Sequence, residues 1–159
     1  MTVTRWAFDV GRARIGAART PAGTTVVLPA GTFQVDKNGA YWHRIVDALH
    51  ESPASVIYVG LPLHLNGNQG ASVKLARNFA KQLHRRYPTA EIRMIDERLT
   101  TSTAHLRLAD AGISGRNRTQ IIDQAAAAVI LEYAIASEGP DGQFSGELFA
   151  AATEERNNG

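Results

Sequence analysis

The sequence predicts an α/β protein: a mixed five-stranded sheet, in which an antiparallel three-strand meander joins parallel strands, with helices on both faces. Three observations carry this. Three apolar segments follow one another between residues 5 and 35, separated by turns too short for a crossover, so their strands run antiparallel. Beyond residue 37, strand-like and helix-like segments alternate, the pattern of parallel strands joined by helices. The last helical segment, 119–137, contains the run Ala125-Ala126-Ala127-Ala128, small enough for close packing on a sheet.

Taken in order, RWAFDVG (5–11) reads as a buried strand, with apolar residues at 6, 7, 8 and 10. RIGAART (14–20) is the second strand and TTVVLPAGTFQV (24–35) the third, with Pro21-Ala22-Gly23 as the turn between them. Residues 38–52 carry Tyr41, Trp42, Ile45, Val46 and Leu49 at helical spacing. SVIYVGLPL (55–63) is an apolar run ending in Gly60 and Pro62, which suits a central parallel strand. The loop LNGNQG (65–70) leads into a helix whose apolar face is Val73, Ala76, Phe79, Ala80 and Leu83. EIRMID (91–96) is the fifth strand, TSTAHLRLADAG (101–112) a short helix stopped by Gly112, and ISGRNR (113–118) a basic loop. From Glu138 onward Gly, Pro, Asp, Ser, Glu and Asn dominate, so 138–159 reads as a mostly disordered tail and 1–137 as the folded domain.

Composition narrows the function classes. With no cysteine, disulfides, iron–sulfur clusters and Cys-based zinc sites are excluded. MTVTRWAFDVGRARIG holds no apolar run of signal-peptide length and no segment approaches a membrane span, so a cytoplasmic location is the expectation. A net charge of +2 and a pI near 9.2 are too mild to indicate nucleic acid by themselves.

The stretch MIDERLTT (94–101) places two adjacent acids, Asp96 and Glu97, at the end of an apolar strand. Asp9 sits near the end of the first strand and Asp123 in the first turns of the last helix. In sheets of this kind, sites lie off the carboxyl ends of the central strands. If these acids converge there, their mutual repulsion calls for a cation, and hard oxygen ligands suit Mg²⁺ or Mn²⁺. The plainer alternative is that each acid is solvated or caps a helix. Asp9 fits that least well, because it lies within an apolar strand and a buried charge needs a partner.

Four segments in order, F-D-V-G-R-A-R-I-G (8–16), V-G-L-P-L-H-L-N-G (59–67), D-E-R-L-T-T (96–101) and I-D-Q-A-A-A-A-V-I-L (122–131), resemble the motifs of the YqgF/RuvX family. That family comprises pre-16S rRNA nucleases, a Holliday-junction-resolvase-like branch of the ribonuclease-H-like fold. The resemblance spans residues 5–136. It implies a metal-dependent nuclease of structured RNA or branched DNA, with maturation of the 5′ end of 16S rRNA as the bacterial role. Asp9, Glu97 and Asp123 match the family's acids and become the expected catalytic and metal-binding residues. Asp96 is second choice to Glu97, because strand alternation turns neighbours to opposite faces.

Arg14 matches the family's R-I-G, and Arg12 stands beside it. Both, with Arg98, Arg116 and Arg118, are the expected substrate-binding cations, since a guanidinium can grip a phosphate through two hydrogen bonds. The segment G-R-N-R-T-Q (115–120) is less Lys-rich than the family pattern. Lys74, Arg77, Lys81 and Arg85 line one face of the fourth-strand-to-fifth-strand helix; a solvated amphipathic face is the simpler reading of them. Trp6, Trp42 and Phe79 read as core. Three competing functions stand beside the nuclease acting on rRNA: a junction resolvase acting on branched DNA as a homodimer, a nucleic-acid-binding module with a relic site, and a fragment of a sugar-kinase-like ATPase, for which one such domain is too short.

Overall fold

The computed structural model describes residues 2–63, 70–100 and 116–153, with side chains in the last helix from Ile122 onward. The elements are β1 (Arg5–Val10), β2 (Arg14–Arg19), β3 (Leu28–Gln34), α1 (Tyr41–Glu51), β4 (Val56–Leu61), α2 (Ala71–Arg86), β5 (Glu91–Asp96), α3 (Arg116–Ala136) and β6 (Glu147–Ala150). A single 3-10 turn, Glu97–Leu99, follows β5 directly. The helix expected over 101–112 lies outside the described residues, as do loop positions 65–69 and segment 113–115. The last helix begins at Arg116, so part of the expected basic loop belongs to its first turn.

The strands form one sheet in the order β3-β2-β1-β4-β5-β6. β1, β2 and β3 are the expected antiparallel meander, and β4 lies parallel to both β1 and β5. Every residue of β4, VIYVGL, is buried, as a strand covered on both faces must be. Side-chain alternation divides the core in two. Trp6, Phe8, Ile57, Val59, Ile92 and Met94 face α1 and α2. Phe79 stands edge-on to Phe8 at 5.3 Å and stacks on Trp42 at 4.9 Å, so these aromatic rings are core. Ala7, Ala18, Val56, Tyr58 and Ile95 face α3, which answers with Ala127, Ile130, Leu131 and Ala134. No helix among the described residues is long and apolar enough to cross a membrane.

Residues 138–153 correct the reading of a disordered tail, and the sheet has six strands instead of five. β6 pairs antiparallel with β5, joining Met94 to Glu147 and Arg93 to Leu148. Phe149 and Ala150 pack against the core. Glu138 accepts hydrogen bonds from Arg5 Nε and Nη2, each at 2.7 Å, and from the Tyr58 hydroxyl at 2.7 Å. Composition hid this segment because its order rests on one buried ion pair and a four-residue strand. Its apolar run, Leu148 to Ala152, is short and alanine-rich, a weak signal of order.

Candidate active site

The carboxyl ends of β1, β4 and β5 meet at one edge of the sheet. On β1, Asp9 shares the α3-facing side with Ala7, because the register pairs Ala7 with Ala18 and Asp9 with Gly16. The next strand continues the row, with Gly16 opposite Thr32. α3 crosses this row about two turns after it begins, at Asp123 and Gln124. A methyl group on Gly16 would lie 2.1 Å from the Asp123 carbonyl oxygen, so only glycine lets the helix backbone rest there. The neighbouring Gln124 Nε2 donates to Thr32 Oγ1 at 3.0 Å. Two contacts therefore index this part of α3, one against β2 beside Asp9 and one against β3.

Glu97 reaches the same face from β5. Glu91, Arg93 and Ile95 alternate with Ile92 and Met94, which face α1 and α2, and continuing the alternation brings Glu97 to the α3 side. Its carboxyl lies over β4 at Gly60, where a Cβ would stand 3.0 Å from the Glu97 Cδ and Oε1 and 2.7 Å from Ile130 Cδ1. Gly60 is level with the position one step beyond the Phe8–Val59 pair, so this second glycine clears the floor beside Asp9. Burial, then the charge of Asp9 and a side-chain hydrogen bond with it, push the Glu97 carboxyl up to about 8, with a smaller contribution from Asp96. A neutral Glu97 thus shares its proton with Asp9, the usual resolution when two carboxylates occupy one site.

Asp96 does different work. Its carboxylate caps the 3-10 turn by accepting from the Arg98 backbone N–H at 2.9 Å. It also takes the Arg98 guanidinium, with Nε at 3.1 Å and Nη2 at 2.7 Å. That side-chain hydrogen bond, ahead of the others, holds Asp96 below the usual carboxylate range. The two adjacent acids of MIDERLTT therefore part: one caps the 3-10 turn and the other turns to Asp9.

Of the expected acids, Asp9 and Glu97 come together. Asp123 is seated beside them through its backbone, but its carboxylate is turned to Arg14, whose Nε donates to Oδ2 at 2.8 Å. Among the described residues no three acidic or histidine side chains form a group that could hold a metal ion. The expected trio is thus interrupted by a guanidinium. Two arginines expected to bind substrate, Arg14 and Arg98, are engaged with Asp123 and Asp96. Arg12 is exposed in the turn between β1 and β2, with no ion pair among the described residues. The side chains of Arg116 and Arg118 lie outside the described set. Gln124 and the two seating glycines were legible only as motif letters, since no spacing rule marks a glycine that a helix must rest on.

A family model described as "RuvX: Holliday junction resolvase" matches residues 3–137. The chain belongs to the RuvX family. Relatives named "Putative pre-16S rRNA nuclease" include a Nocardioides protein, 37% identical over 147 residues that cover 91% of this chain and 94% of that one. The Thermobifida fusca protein of the same name is 38% identical, covering 86% of this chain and 89% of its own. The Frankia casuarinae protein is 37% identical over 81% of this chain, a match spanning 64% of its own length. Among solved structures, Thermus thermophilus RuvC in complex with a Holliday junction superposes with a TM-score of 0.54 at 14% identity, over 85% of this chain and 96% of that one. At that identity the fold alone is shared, and it is the ribonuclease-H-like fold.

Proposed function

We propose that this protein is a divalent-metal-dependent endonuclease that hydrolyses phosphodiester bonds in the cytoplasm, and that its substrate is the 5′ leader of pre-16S rRNA. The observation that carries this reading is the Asp9–Glu97 pair: two carboxylates held on a glycine-cleared floor at the carboxyl edge of the sheet, one of them neutral because both cannot be charged. Such a pair is a poor structural element and a good cation site. The names of the relatives support the substrate.

The donor set is all carboxylate oxygen, which fits Mg²⁺ or Mn²⁺. Asp9 and Glu97 would hold the ion, joined by Asp123 once its carboxylate leaves Arg14. When bound, such an ion polarises a phosphate oxygen and lowers the pKa of a water. The chain's own residues do the rest. With the ion held, Glu97 would release to solvent the proton it shares with Asp9. Arg14, released from Asp123, is then free to take a phosphate oxygen in place of the carboxylate it held. Arg12, exposed one turn away, offers a second cation to the backbone, and Arg116 and Arg118 could do so from the start of α3. Gly16 and Gly60 hold the acids in register throughout.

A second reading, cleavage of branched DNA, is favoured by the description of the matching family model and by the fold shared with RuvC. The test uses both substrates. The purified protein is incubated with Mg²⁺ or Mn²⁺ and either a 16S rRNA leader or a four-way DNA junction, beside Asp9→Asn. Metal-dependent cutting of the leader, lost in the variant, is the expected result. Cutting of the junction alone would transfer the assignment to DNA. Binding of either without cutting would make the protein a binding module.

A further inference from the structure

The helix α2 has a charge distribution that the catalytic edge does not require. Its sequence ASVKLARNFAKQLHRR contains five of the chain's 17 Lys and Arg residues and none of its 15 acids. Lys74, Lys81 and Arg85 are exposed and Arg77 is half-buried. At about 100° per residue these four fall within an arc of about 80°, opposite the buried stripe of Val73, Ala76, Phe79, Ala80 and Leu83. An ordinary solvated helix mixes signs, because like charges three or four residues apart weaken it. Here Lys74–Arg77, Arg77–Lys81 and Lys81–Arg85 are all like-charged neighbours of that kind. Among the described residues, the acid paired with this stripe from outside is Glu147 of β6, 3.7 Å from Arg77 and itself mostly exposed. A helix that sacrifices local stability to keep one sign of charge is a candidate for function.

Topology says where the stripe leads. α2 connects the carboxyl end of β4 to the start of β5, and the two strands are parallel. It therefore begins at the edge that holds Asp9 and Glu97 and runs away from it. Lys74 to Arg85 covers about 17 Å at 1.5 Å per residue, the span of a few phosphates. It does so on the α1–α2 layer, across the sheet from α3. We propose that this stripe is a second phosphate track, which grips the backbone of an RNA stem extending from the catalytic edge and so makes the enzyme prefer substrates with a long helical arm. This inference rests on the nuclease reading for the identity of its partner, and it assigns the far layer of the molecule to substrate selection.

The test is the triple variant Lys74→Gln, Lys81→Gln, Arg85→Gln, with Lys81→Gln alone as a milder second. Binding to a long-stemmed RNA hairpin is measured against salt without divalent ion, so that cleavage plays no part. Each lost phosphate contact lowers the slope of log K against log salt by about 0.7 to 0.9, so the triple variant should lose about 2 to 3 and the single about 1. With Mg²⁺, the triple variant should cut a short-stemmed hairpin at the parent rate and show a raised KM for the long one. An unchanged salt slope in variants that melt like the parent overturns the proposal. So does an equal loss on short and long hairpins, which would put the stripe inside the catalytic contact. So does affinity for anionic vesicles lost in place of affinity for RNA. A parent that binds RNA with the expected slopes yet cuts nothing would refute the nuclease reading and leave the track standing.

Discussion

Replacing Gly16 by alanine should damage stability and chemistry together, and the structure says by how much. The added methyl would lie 2.1 Å from the Asp123 carbonyl oxygen, 2.4 Å from its carbonyl carbon and 3.0 Å from its Cβ. A relaxed carbon–oxygen contact is about 3.3 Å, so strand and helix must separate by about 1 Å. Both nearest atoms belong to backbone, and no rotamer change can relieve them. Overpacking of this kind costs about 1 to 3 kcal/mol, and the absence of a flexible neighbour puts Gly16→Ala at the upper end. The retreat of α3 also carries Asp123 away from the Asp9–Glu97 pair, and a displacement of about 1 Å can cost about 100-fold in rate. Urea denaturation gives the first quantity, and cleavage of the leader RNA, normalised to folded protein, gives the second. Gly142, where a Cβ would meet nothing within 4 Å, supplies the control: Gly142→Ala carries only the strain of its left-handed backbone, about 1 kcal/mol. If Gly16→Ala unfolds and cuts like the parent, the close seating of α3 is wrong. If stability falls and cleavage per folded molecule does not, Asp123 has no part in the site.

Three further outcomes are expected. Gly60→Ala brings a methyl to 2.7 Å from Ile130 Cδ1 and 3.0 Å from the Glu97 carboxyl. The isoleucine tip can yield, so the stability loss should be about 1 to 2 kcal/mol. Ile130→Val should restore part of it in the double variant without restoring cleavage. Glu97, raised from 4.5 to about 8 by burial and then by Asp9, binds more protons folded than unfolded between those values. Its contribution to stability is therefore complete below pH 4.5 and disappears as pH rises through 8. In chelator, melting temperature should fall across that window. Asp9→Asn, which removes the neighbouring charge, should flatten the fall by on the order of 1 kcal/mol; a parallel pH profile for the variant would refute the shared proton. Glu138→Gln leaves Arg5 buried without its counter-charge and should cost about 3 kcal/mol. It should also raise hydrogen exchange at the β6 amides, and normal protection there would show that β6 holds by itself.

The fold was legible where burial is expressed as apolar periodicity. β5 falls on 91–96 as the alternation of EIRMID predicts, and α2 falls on the stripe Val73–Leu83. That Glu97 and Asp96 take different sides was also legible, because alternation along a strand turns neighbours to opposite faces. The interception of Asp123 by Arg14 was not. It depends on a contact between residues 14 and 123, and nothing local in either segment specifies whether that arginine waits for phosphate or holds the acid. Glu138 was illegible for the same reason: one charged residue at the head of a Gly- and Glu-rich segment becomes buried only because Arg5 and Tyr58, far back in the chain, are ready to receive it.

The β1–β2 hairpin that carries Asp9 and the helix that carries Asp123 are fastened to one another at two places. At one, Asp123 rests on Gly16 beside Asp9; at the other, Glu138, just past α3, grips Arg5 at the start of β1. A shortened version of this protein ending at residue 137 would keep every motif letter of the site and lose one of the two fastenings, leaving the part-buried Arg5 without its counter-charge. For anyone preparing the protein, a cut or a label is therefore to be kept out of the segment up to Thr153, whose backbone N–H still bonds to Pro88 at 2.7 Å.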